Sequence, residues 1–272
     1  MNLSPALSVI TICLNDKTGL EKTILSVKEQ TFRNYEHLVI DGGSTDGSVE
    51  IINKNADSLS YFISEKDNGR YHAMNKGITA SKGHYLLFLN SGDYLTDQNV
   101  LEKLFAIKPH SAIEYGNVFF DDSYGSRSLY KQPEVLSLEY MMEGTVLHPG
   151  AFIKRELFLN LGLYNEDYII ASDYDFFLNA IIKHNVSSHY SNINISVFNT
   201  LGISNNDMYK ETSMQERKKI QDQYIPPLII EYYKKQEIFK NTFDSLLIAK
   251  GKKNKFIHFL LKVTNKIADI VA

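Results

Sequence analysis

The sequence predicts an α/β protein whose central sheet is mostly parallel, doubly wound and flanked by helices. Strand-like and helix-like segments alternate in the first part of the chain, which is typical of such a sheet. Four strand-like segments also end in Asn or an acidic residue: Leu7 to Asn15, Tyr35 to Asp41, Leu59 to Asp67 and His84 to Asp93. Because ligands bind at the carboxyl edge of an open parallel sheet, we expect a binding crevice at these ends.

The first strand is almost entirely apolar or β-branched, which indicates a strand that is covered on both faces. A helix-like segment follows each of the four strands. These segments are marked by apolar residues at helical spacing: Leu20, Ile24 and Val27; Val49, Ile51 and Ile52; Tyr71, Met74 and Ile78; and Val100, Leu101, Leu104 and Phe105. Right-handed crossovers are expected between the strands.

In the second half of the sequence, strand-like and helix-like segments no longer alternate regularly. This half predicts an antiparallel hairpin, a helix and a further strand: Ile113 to Phe120 with Arg127 to Lys131, Ser172 to His184, and Ser188 to Phe198. We therefore expect one α/β domain over residues 1–206, in which residues 111–206 complete the crevice begun by residues 1–110. Residues 207–272 are expected to form a helical carboxyl-terminal extension.

Composition argues against several classes of protein. The formal net charge of −3 over 272 residues gives no basic field, so we expect no nucleic-acid partner. The single cysteine, Cys13, cannot build a disulfide framework within one chain, which favours the reducing cytoplasm. The first residues do not resemble a signal peptide, and no segment has the apolar length of a membrane span. We expect a cytoplasmic protein, with membrane contact limited to its surface.

The predicted crevice lacks two common phosphate-binding motifs. No Gly-x-Gly-x-x-Gly follows the first strand and no Gly-Lys-Ser/Thr loop is present, which argues against dinucleotide dehydrogenases and phosphate-loop NTPases. Instead, Asp41 follows the second strand and Asp93 follows the fourth. Such a pair can hold a base or ribose by hydrogen bonds and a diphosphate through a divalent cation, which indicates a nucleoside diphosphate.

Several segments together resemble the motifs of glycosyltransferase family 2: Ser8 to Asn15, Asp41 to Ser48, Asp67 to Gly77, Phe88 to Asp93, His148 to Phe152, Ser172 to Phe177, and Gly202 to Ser204. The resemblance is to bacterial transferases that assemble exopolysaccharide, colanic-acid-type or O-antigen repeat units. It implies a GT-A fold, a nucleotide-sugar donor, inversion at the anomeric carbon, and Mg²⁺ or Mn²⁺ as cofactor.

The resemblance also implies a set of donor-site residues. It places Asp41 at the nucleobase, where a carboxylate can accept a hydrogen bond from the imide N–H of uracil, with Thr11 and Asn15 lining the same subsite. From spacing alone, a purely structural role of Asp41 in its Gly-Gly turn is equally open. The remaining donor-site candidates are Asp67, Asn75, Asn90 and Ser91, with Arg70 as a second-tier candidate near the diphosphate. For Asn75, the match to the motif implies an amide that is either structural or in contact with the donor.

Asp93 matches the metal motif of the family, so the resemblance implies that it binds the divalent cation. Many relatives carry Asp-x-Asp at this point, whereas this chain has Asn90 and Gly92 and therefore a single carboxylate. Mg²⁺ needs only one or two protein carboxylates when substrate phosphates supply the other ligands. One aspartate can therefore suffice, and Asn90 can still bind ribose.

Inversion by a single displacement requires a base that removes the proton of the acceptor hydroxyl. The Glu-Asp pair of the family falls on Ser172 and Asp173, so we expect Asp173 to be this base. The alternative is that Ser172 caps the following helix while Asp173 and Asp175 favour its dipole, and for Asp175 that interpretation is preferred. His148 is a second-tier candidate that can contact the metal, the diphosphate or the acceptor, or serve structure alone.

The carboxyl-terminal segment, residues 250–272, interleaves lysines with apolar residues. Two interpretations stay open for it. It can lie on a membrane surface as an amphipathic helix, or it can pack on the domain or on a second copy in a homo-oligomer.

These observations predict an inverting glycosyltransferase that moves a hexosyl or N-acetylhexosaminyl group from a nucleoside diphosphate sugar, with UDP favoured. The expected acceptor is a glycan or a lipid-linked oligosaccharide in bacterial surface polysaccharide synthesis. Two alternatives are a catalytically inactive nucleotide-sugar-binding subunit and a sugar nucleotidyltransferase.

Overall fold

A computed structural model of the chain describes residues 4–121, 126–200, 202 and 207–250. The chain divides into two compact units, Met1–Tyr224 and Ile225–Ala272. The first unit contains the central sheet and every residue that the sequence proposes for the site. The second unit contains one long helix among the described residues.

The strands of the first unit, in chain order, are β1 (Leu7–Cys13), β2 (Tyr35–Asp41), β3 (Tyr61–Ser64), β4 (Tyr85–Phe88), β5 (Tyr94–Leu95), β6 (Ile113–Asp121), β7 (Arg127–Tyr130), β8 (Ala151–Lys154) and β9 (Ser188–Asn199). Its helices are α1 (Lys17–Lys28), α2 (Ser48–Lys54), α3 (Arg70–Ala80), α4 (Val100–Ala106), α5 (Leu138–Glu143), α6 (Arg155–Leu161), α7 (Ser172–Leu178) and α8 (Lys210–Tyr224). The helix of the second unit is α9 (Pro227–Lys250).

The strands form a single sheet in the order β3-β2-β1-β4-β8-β6-β9-β5, with β7 paired to β6. The first four strands of this order are mutually parallel, as the alternating pattern predicts. β8 is antiparallel to both of its neighbours, β4 and β6, so it joins the parallel half of the sheet to the second half. The predicted hairpin is confirmed by the antiparallel pairing of β6 with β7.

Three of the four polar strand ends in the sequence lie in loops beyond the strands. β1 ends at Cys13 rather than Asn15, β3 ends at Ser64 rather than Asp67, and β4 ends at Phe88 rather than Asp93. After β4 the chain turns at Gly92, whose φ is +94°, and the N–H of Asp93 donates to the carbonyl of Asn90 at 2.9 Å. A positive φ of this size favours glycine, which explains why the strand cannot continue to Asp93.

Apolar residues of β1, β4 and α4 are packed together in one buried cluster, and residues of α1, β2 and α2 form another. A group of aromatic rings packs α6 and α7 against β4. Phe158 of α6 stacks on Phe176 of α7 with ring centroids 4.2 Å apart, and Tyr164 lies 5.5 Å from Phe88 of β4. This packing fixes the start of α7, where Asp173 lies, relative to the end of β4.

None of the helices in the described part of the chain is both long and apolar enough to span a membrane. The proposed amphipathic segment lies outside the described residues from position 251 onward, so both interpretations of it remain predictions. Positions 203 and 204 of the last family-like segment also lie outside them.

Candidate functional site

The loop after β1 joins the loops that follow β2 and β4. Asn15 adopts a positive φ of 51°. Its Oδ1 accepts a hydrogen bond from the N–H of Thr45 at 2.8 Å, and its own N–H donates to Ser44 Oγ at 2.7 Å. Oδ2 of Asp16 accepts from the hydroxyl of Ser91 at 2.7 Å. Asn15 and Ser91 therefore lie at the same edge of the sheet, and a donor contact by either residue stays a prediction.

The carboxylate of Asp41 organises the turn that follows β2. Its Oδ2 accepts from the N–H of Gly43 at 3.1 Å, the N–H of Ser44 at 2.9 Å and the hydroxyl of Ser64 at 2.6 Å. Oδ1 accepts from the hydroxyl of Ser44, and the residue is fully buried. Asp41 therefore has a structural role, and a nucleobase N–H would have to share Oδ1 with Ser44.

Thr11 lies outside the crevice, contrary to the sequence-based expectation. It is fully buried within β1, and its hydroxyl lies 3.0 Å from Nε2 of His37 on the neighbouring strand β2. Burial lowers the pKa of His37 to about 3, so this ring is neutral and can pair with a hydroxyl. The hydroxyl of Thr11 is therefore enclosed against β2, although the residue lies only two positions before the end of β1.

Asp67 lies in the loop between β3 and α3, close to the turn after β2. Its Oδ1 is 2.7 Å from Nζ of Lys76 and 3.1 Å from Nδ1 of His72. Its Oδ2 is near Gly42, because a Cβ added to that glycine would lie 3.2 Å away. Asp67 thus connects α3 with the Asp41 turn. Whether it also contacts a donor stays a prediction.

The geometry of Asn75 favours a structural role over the predicted donor contact. Its Nδ2 donates to the carbonyl of Tyr164 and to Glu166 Oε1, each at 2.9 Å, and its Oδ1 accepts from the N–H of Tyr164 at 3.0 Å. Both amide hydrogens are used, and the residue is 6% exposed. Asn75 therefore joins α3 to the loop that precedes α7.

A cleft of about 440 Å³ lies next to α3 and β3. It is lined by Tyr61, Ile63, Glu65, His72, Asn75, Lys76, Thr79, Ala80, Leu163 and Glu166. Neither Asp93 nor Asp173 is among these residues, so the cleft is separate from the polar groups described next.

Asp93 is buried, being 2% exposed, in the segment that connects β4 to β5. Its Oδ1 accepts from the N–H of Asn199 at 2.9 Å, while Oδ2 has no hydrogen-bond partner among the described residues. Burial raises the pKa of Asp93 to about 7, although Asn199 and the charges of His148 and Arg70 act in the opposite direction. Asp93 therefore titrates near neutral pH.

Asn199 is a residue of this cluster that was not predicted from the sequence. This residue ends β9 and contacts Asp93 through its backbone. Its side chain also lies over Gly92, because a Cβ added to Gly92 would be 2.6 Å from Asn199 Nδ2. The signal for Asn199 was present: it is a polar residue that directly follows the predicted strand Ser188 to Phe198, as in the four earlier strands.

Asn90, His148 and Asp173 form a chain of side-chain contacts. Nδ2 of Asn90 is 3.2 Å from Nε2 of His148, and Nδ1 of His148 is 3.2 Å from Oδ2 of Asp173. His148 begins a 3-10 turn before β8, and Asp173 lies in the first turn of α7. The structure therefore brings together three candidates that are far apart in the sequence.

Asp173 is held on its other side by α3 and by its own helix. Its Oδ1 accepts from the N–H of Tyr174 at 2.9 Å and lies 3.3 Å from the hydroxyl of Tyr71, which donates its hydrogen to the nearer carbonyl of Ile170. Burial raises the pKa of this carboxyl, but the hydrogen bond and charge of His148, the N–H of Tyr174 and the charge of Arg70 outweigh it. The net pKa lies below the ordinary value, so Asp173 is ionised and able to accept a proton.

Asp175 and Ser172 do not take part in this cluster. Burial raises the pKa of Asp175, and its neighbours Tyr224 and Lys219 belong to α8. Ser172 does not cap α7, because its hydroxyl is buried and has no hydrogen-bond partner within the described part of the chain. Instead, Glu216 of α8 accepts from the N–H groups of residues 169–171 at 2.7–3.0 Å. Glu216 carries no local sequence signal for this role.

Comparison with known proteins identifies related sequences. The family model of glycosyl transferase family 2 matches residues 8–140. An uncharacterized glycosyltransferase of Mycobacterium tuberculosis is 35% identical over 186 residues, which cover 67% of this chain and 71% of that protein. A PGL/p-HBAD biosynthesis glycosyltransferase of Mycobacterium bovis is 29% identical over 216 residues, covering 76% of this chain and 82% of that protein.

Solved structures share the fold at low sequence identity. TarS 1-349 of S. aureus in complex with UDP-GlcNAc has a TM-score of 0.59 and 21% identity, and the match covers 71% of this chain and 58% of that one. The mannosyltransferase PcManGT of Pyrobaculum calidifontis, in complex with GDP-Man and Mn²⁺, has a TM-score of 0.54 and 18% identity, with 72% and 57% covered. This chain thus spans less than two thirds of either structure.

Proposed function

We propose the following reaction for this chain, which belongs to glycosyltransferase family 2 and has the GT-A fold. It transfers a sugar from a nucleoside diphosphate donor, with UDP as the nucleotide, to a hydroxyl of a glycan or lipid-linked glycan, with inversion of the anomeric carbon. The observation that carries this proposal is the contact chain from Asn90 through His148 to the ionised carboxylate of Asp173.

The donor side of the proposal rests on the loops that follow β1, β2 and β4. Asn15, Asp41 and Ser91 lie on these loops, which hydrogen bonds connect to one another through Ser44 and Asp16. Polar groups of this kind suit a nucleoside at the carboxyl edge of a parallel sheet. Related structures contain UDP, UDP-GlcNAc or GDP-Man, which supports a nucleotide-sugar donor in general and leaves uracil as our choice.

The residues of the β4–β5 segment fit a divalent cation. Oδ2 of Asp93 and Oδ1 of Asn90 are buried oxygen atoms without hydrogen-bond partners among the described residues. The described residues contain no group of three or more His, Cys, Asp or Glu side chains that could hold a metal by themselves. Asp93 would hold Mg²⁺ or Mn²⁺ with the phosphates of the donor as further ligands. When bound, the ion neutralises charge on the departing diphosphate.

Asp173 acts as the base in the proposed transfer. Oδ2 of this ionised carboxylate, on the side of His148, accepts the proton of the acceptor hydroxyl as its oxygen attacks the anomeric carbon. The C–O bond to the nucleotide breaks on the opposite face, which gives inversion. A helix begins at Ser172, so Asp173 is held on a rigid element rather than on a loop.

A binding assay that compares metal with chelator tests the donor site. UDP should raise the melting temperature of the full chain more with Mn²⁺ or Mg²⁺ than with EDTA, because Asp93 and the diphosphate share the ion. Equal stabilisation by UDP in EDTA would contradict the shared metal. UDP-sugar and GDP-sugar panels in the same assay identify the nucleotide, and GDP-mannose alone stabilising the protein would overturn the choice of UDP.

Inversion is tested on the product. The anomeric configuration of the transferred sugar, measured by NMR, should be opposite to that of the donor. A retained configuration would rule out single displacement by Asp173. Tight donor binding without release of UDP in the presence of glycan and lipid-linked acceptors would favour the inactive binding subunit.

A further inference from the structure

His148 connects two parts of the proposed site. Its ring is 11% exposed and lies between Asn90, on the segment after β4, and Asp173, on α7. Both ring nitrogens have a partner, each at 3.2 Å. A ring held in this way has no nitrogen left for a metal, a diphosphate or an acceptor.

The partners determine which nitrogen carries the proton. Asp173 is ionised and can only accept, so Nδ1 of His148 must donate to it. Nε2 lies 3.2 Å from the amide nitrogen of Asn90. The hydrogen bond that Nδ1 donates stabilises the charge on Asp173.

We propose that His148 is a positioning residue: it orients the carboxylate of Asp173 for proton removal and couples it to Asn90 in the donor segment. This inference rests on the proposed function, because it assigns His148 a task in the same transfer reaction. It also narrows the sequence-based expectation for His148, which included direct contact with the metal, the diphosphate or the acceptor.

The other groups around Asp173 cannot replace this hydrogen bond. The N–H of Tyr174 donates to Oδ1 and the hydroxyl of Tyr71 lies near that same oxygen, whereas His148 binds Oδ2. Arg70 contributes charge, and Tyr164 lies close enough for Asp173 to raise its pKa. Burial raises the pKa of Asp173, and the hydrogen bond from His148 lowers it. Without His148 the pKa of Asp173 would therefore be higher.

The fold of the surrounding turn does not depend on the imidazole. The N–H of Gly150 donates to the carbonyl of Leu147 at 2.9 Å, and Pro149 and Gly150 are buried. A Cβ added to Gly150 would lie 2.5 Å from a methyl group of Val118, so close backbone packing holds this turn. Replacing the side chain of His148 therefore leaves the main supports of the turn in place.

Two amide variants separate the two nitrogens of His148. In His148→Asn, the side-chain amide takes about the place of Nδ1 and can still donate to Asp173. In His148→Gln, it takes about the place of Nε2, so the contact with Asn90 is kept and the one with Asp173 is lost. The measurement is kcat and donor KM from pH 3 to 9, with UDP release as the signal.

We expect His148→Gln to lower kcat by about 10- to 100-fold, with donor KM changed little. The acid limb of its kcat profile should move up by about one pH unit, because Asp173 binds its proton more tightly. His148→Asn should lose less than about 10-fold and keep the acid limb near that of the wild type. Equal losses in both variants with an unshifted limb would overturn the proposal, as would a raised donor KM with unchanged kcat.

A spectroscopic measurement on the wild-type chain decides the case if either variant fails to fold. In ¹⁵N NMR at pH 7.5, the His148 ring should show the proton on Nδ1, and the proton on Nε2 would overturn the proposal. The proposed function fails separately: if Asp173→Asn transfers sugar like the wild type, the base is misassigned. If Asp173→Asn is inactive while His148→Gln behaves like the wild type, only the role of His148 is wrong.

Discussion

The backbone N–H of Asn199 donates a hydrogen bond of 2.9 Å to Oδ1 of Asp93, although the two residues are 106 positions apart. This contact ties the end of β9 to the segment after β4. Burial nevertheless raises the pKa of Asp93 to about 7. The protein therefore keeps a carboxyl that is costly to ionise at the point where the proposed donor binds.

The first prediction concerns the stability of the ligand-free protein. The pKa of Asp93 rises from 3.8 to about 7 on folding, so protonation of Asp93 favours the folded state. This stabilisation is complete below about pH 4 and is lost as the pH rises to 7. The full change corresponds to about 4 kcal/mol as an upper limit. Asp93→Asn cannot ionise, so its melting temperature should fall less between pH 5 and 8 than that of the wild type. Parallel pH profiles would show that Asp93 is ionised without penalty.

The second prediction separates the nucleoside from the metal. Asp41→Asn replaces a carboxylate that accepts from Gly43, Ser44 and Ser64, so the turn after β2 should be disturbed. UDP should bind about 10- to 100-fold more weakly, by calorimetry, both with Mn²⁺ and with EDTA. The matched control, Ser64→Ala, removes one of these donors and should have a smaller effect. A loss confined to the Mn²⁺ samples would mean that Asp41 serves the metal.

The third prediction concerns Asn75, which binds the backbone N–H and C=O of Tyr164. Asn75→Ala leaves both of these groups without that partner in a buried region, and each such loss costs about 1–3 kcal/mol. We expect a lower free energy of unfolding in urea and an unchanged affinity of the folded protein for UDP. Glu166→Gln keeps an acceptor for Asn75 and should stay close to the wild type. Weaker UDP binding with unchanged stability would return Asn75 to the donor site.

The architecture of the first half follows from local patterns in the sequence. Strands and helices at the expected spacing lie between Leu7 and Ala106, and hydrogen bonds connect the loops after β1, β2 and β4 at one edge of the sheet. The direction of individual side chains was harder to predict. Thr11 points to His37 because β2 lies directly beside it, and periodicity alone does not specify that neighbour.

Contacts between distant segments explain the remaining differences. Asn75 meets Tyr164 across 89 positions, and Asn199 meets Asp93 across 106. Such contacts depend on how the two halves of the sheet pack together, and the local spacing of residues in the sequence does not specify this packing. The family resemblance proposed His148 and Asp173 for the site, but only the folded chain shows that they touch.

The most direct test of the account compares Asp173→Asn with Asp175→Asn. Both changes remove one carboxylate in the first turn of α7, but Asp173 pairs with His148 whereas Asp175 faces Tyr224 and Lys219 of α8. Sugar transfer is measured as UDP release in the presence of acceptor, and UDP affinity is measured alongside. Asp173→Asn should bind UDP like the wild type and turn over about 10² to 10⁴ times more slowly, while Asp175→Asn stays within a few-fold of the wild type. Turnover of Asp173→Asn close to the wild-type rate would contradict the assignment of Asp173 as the base.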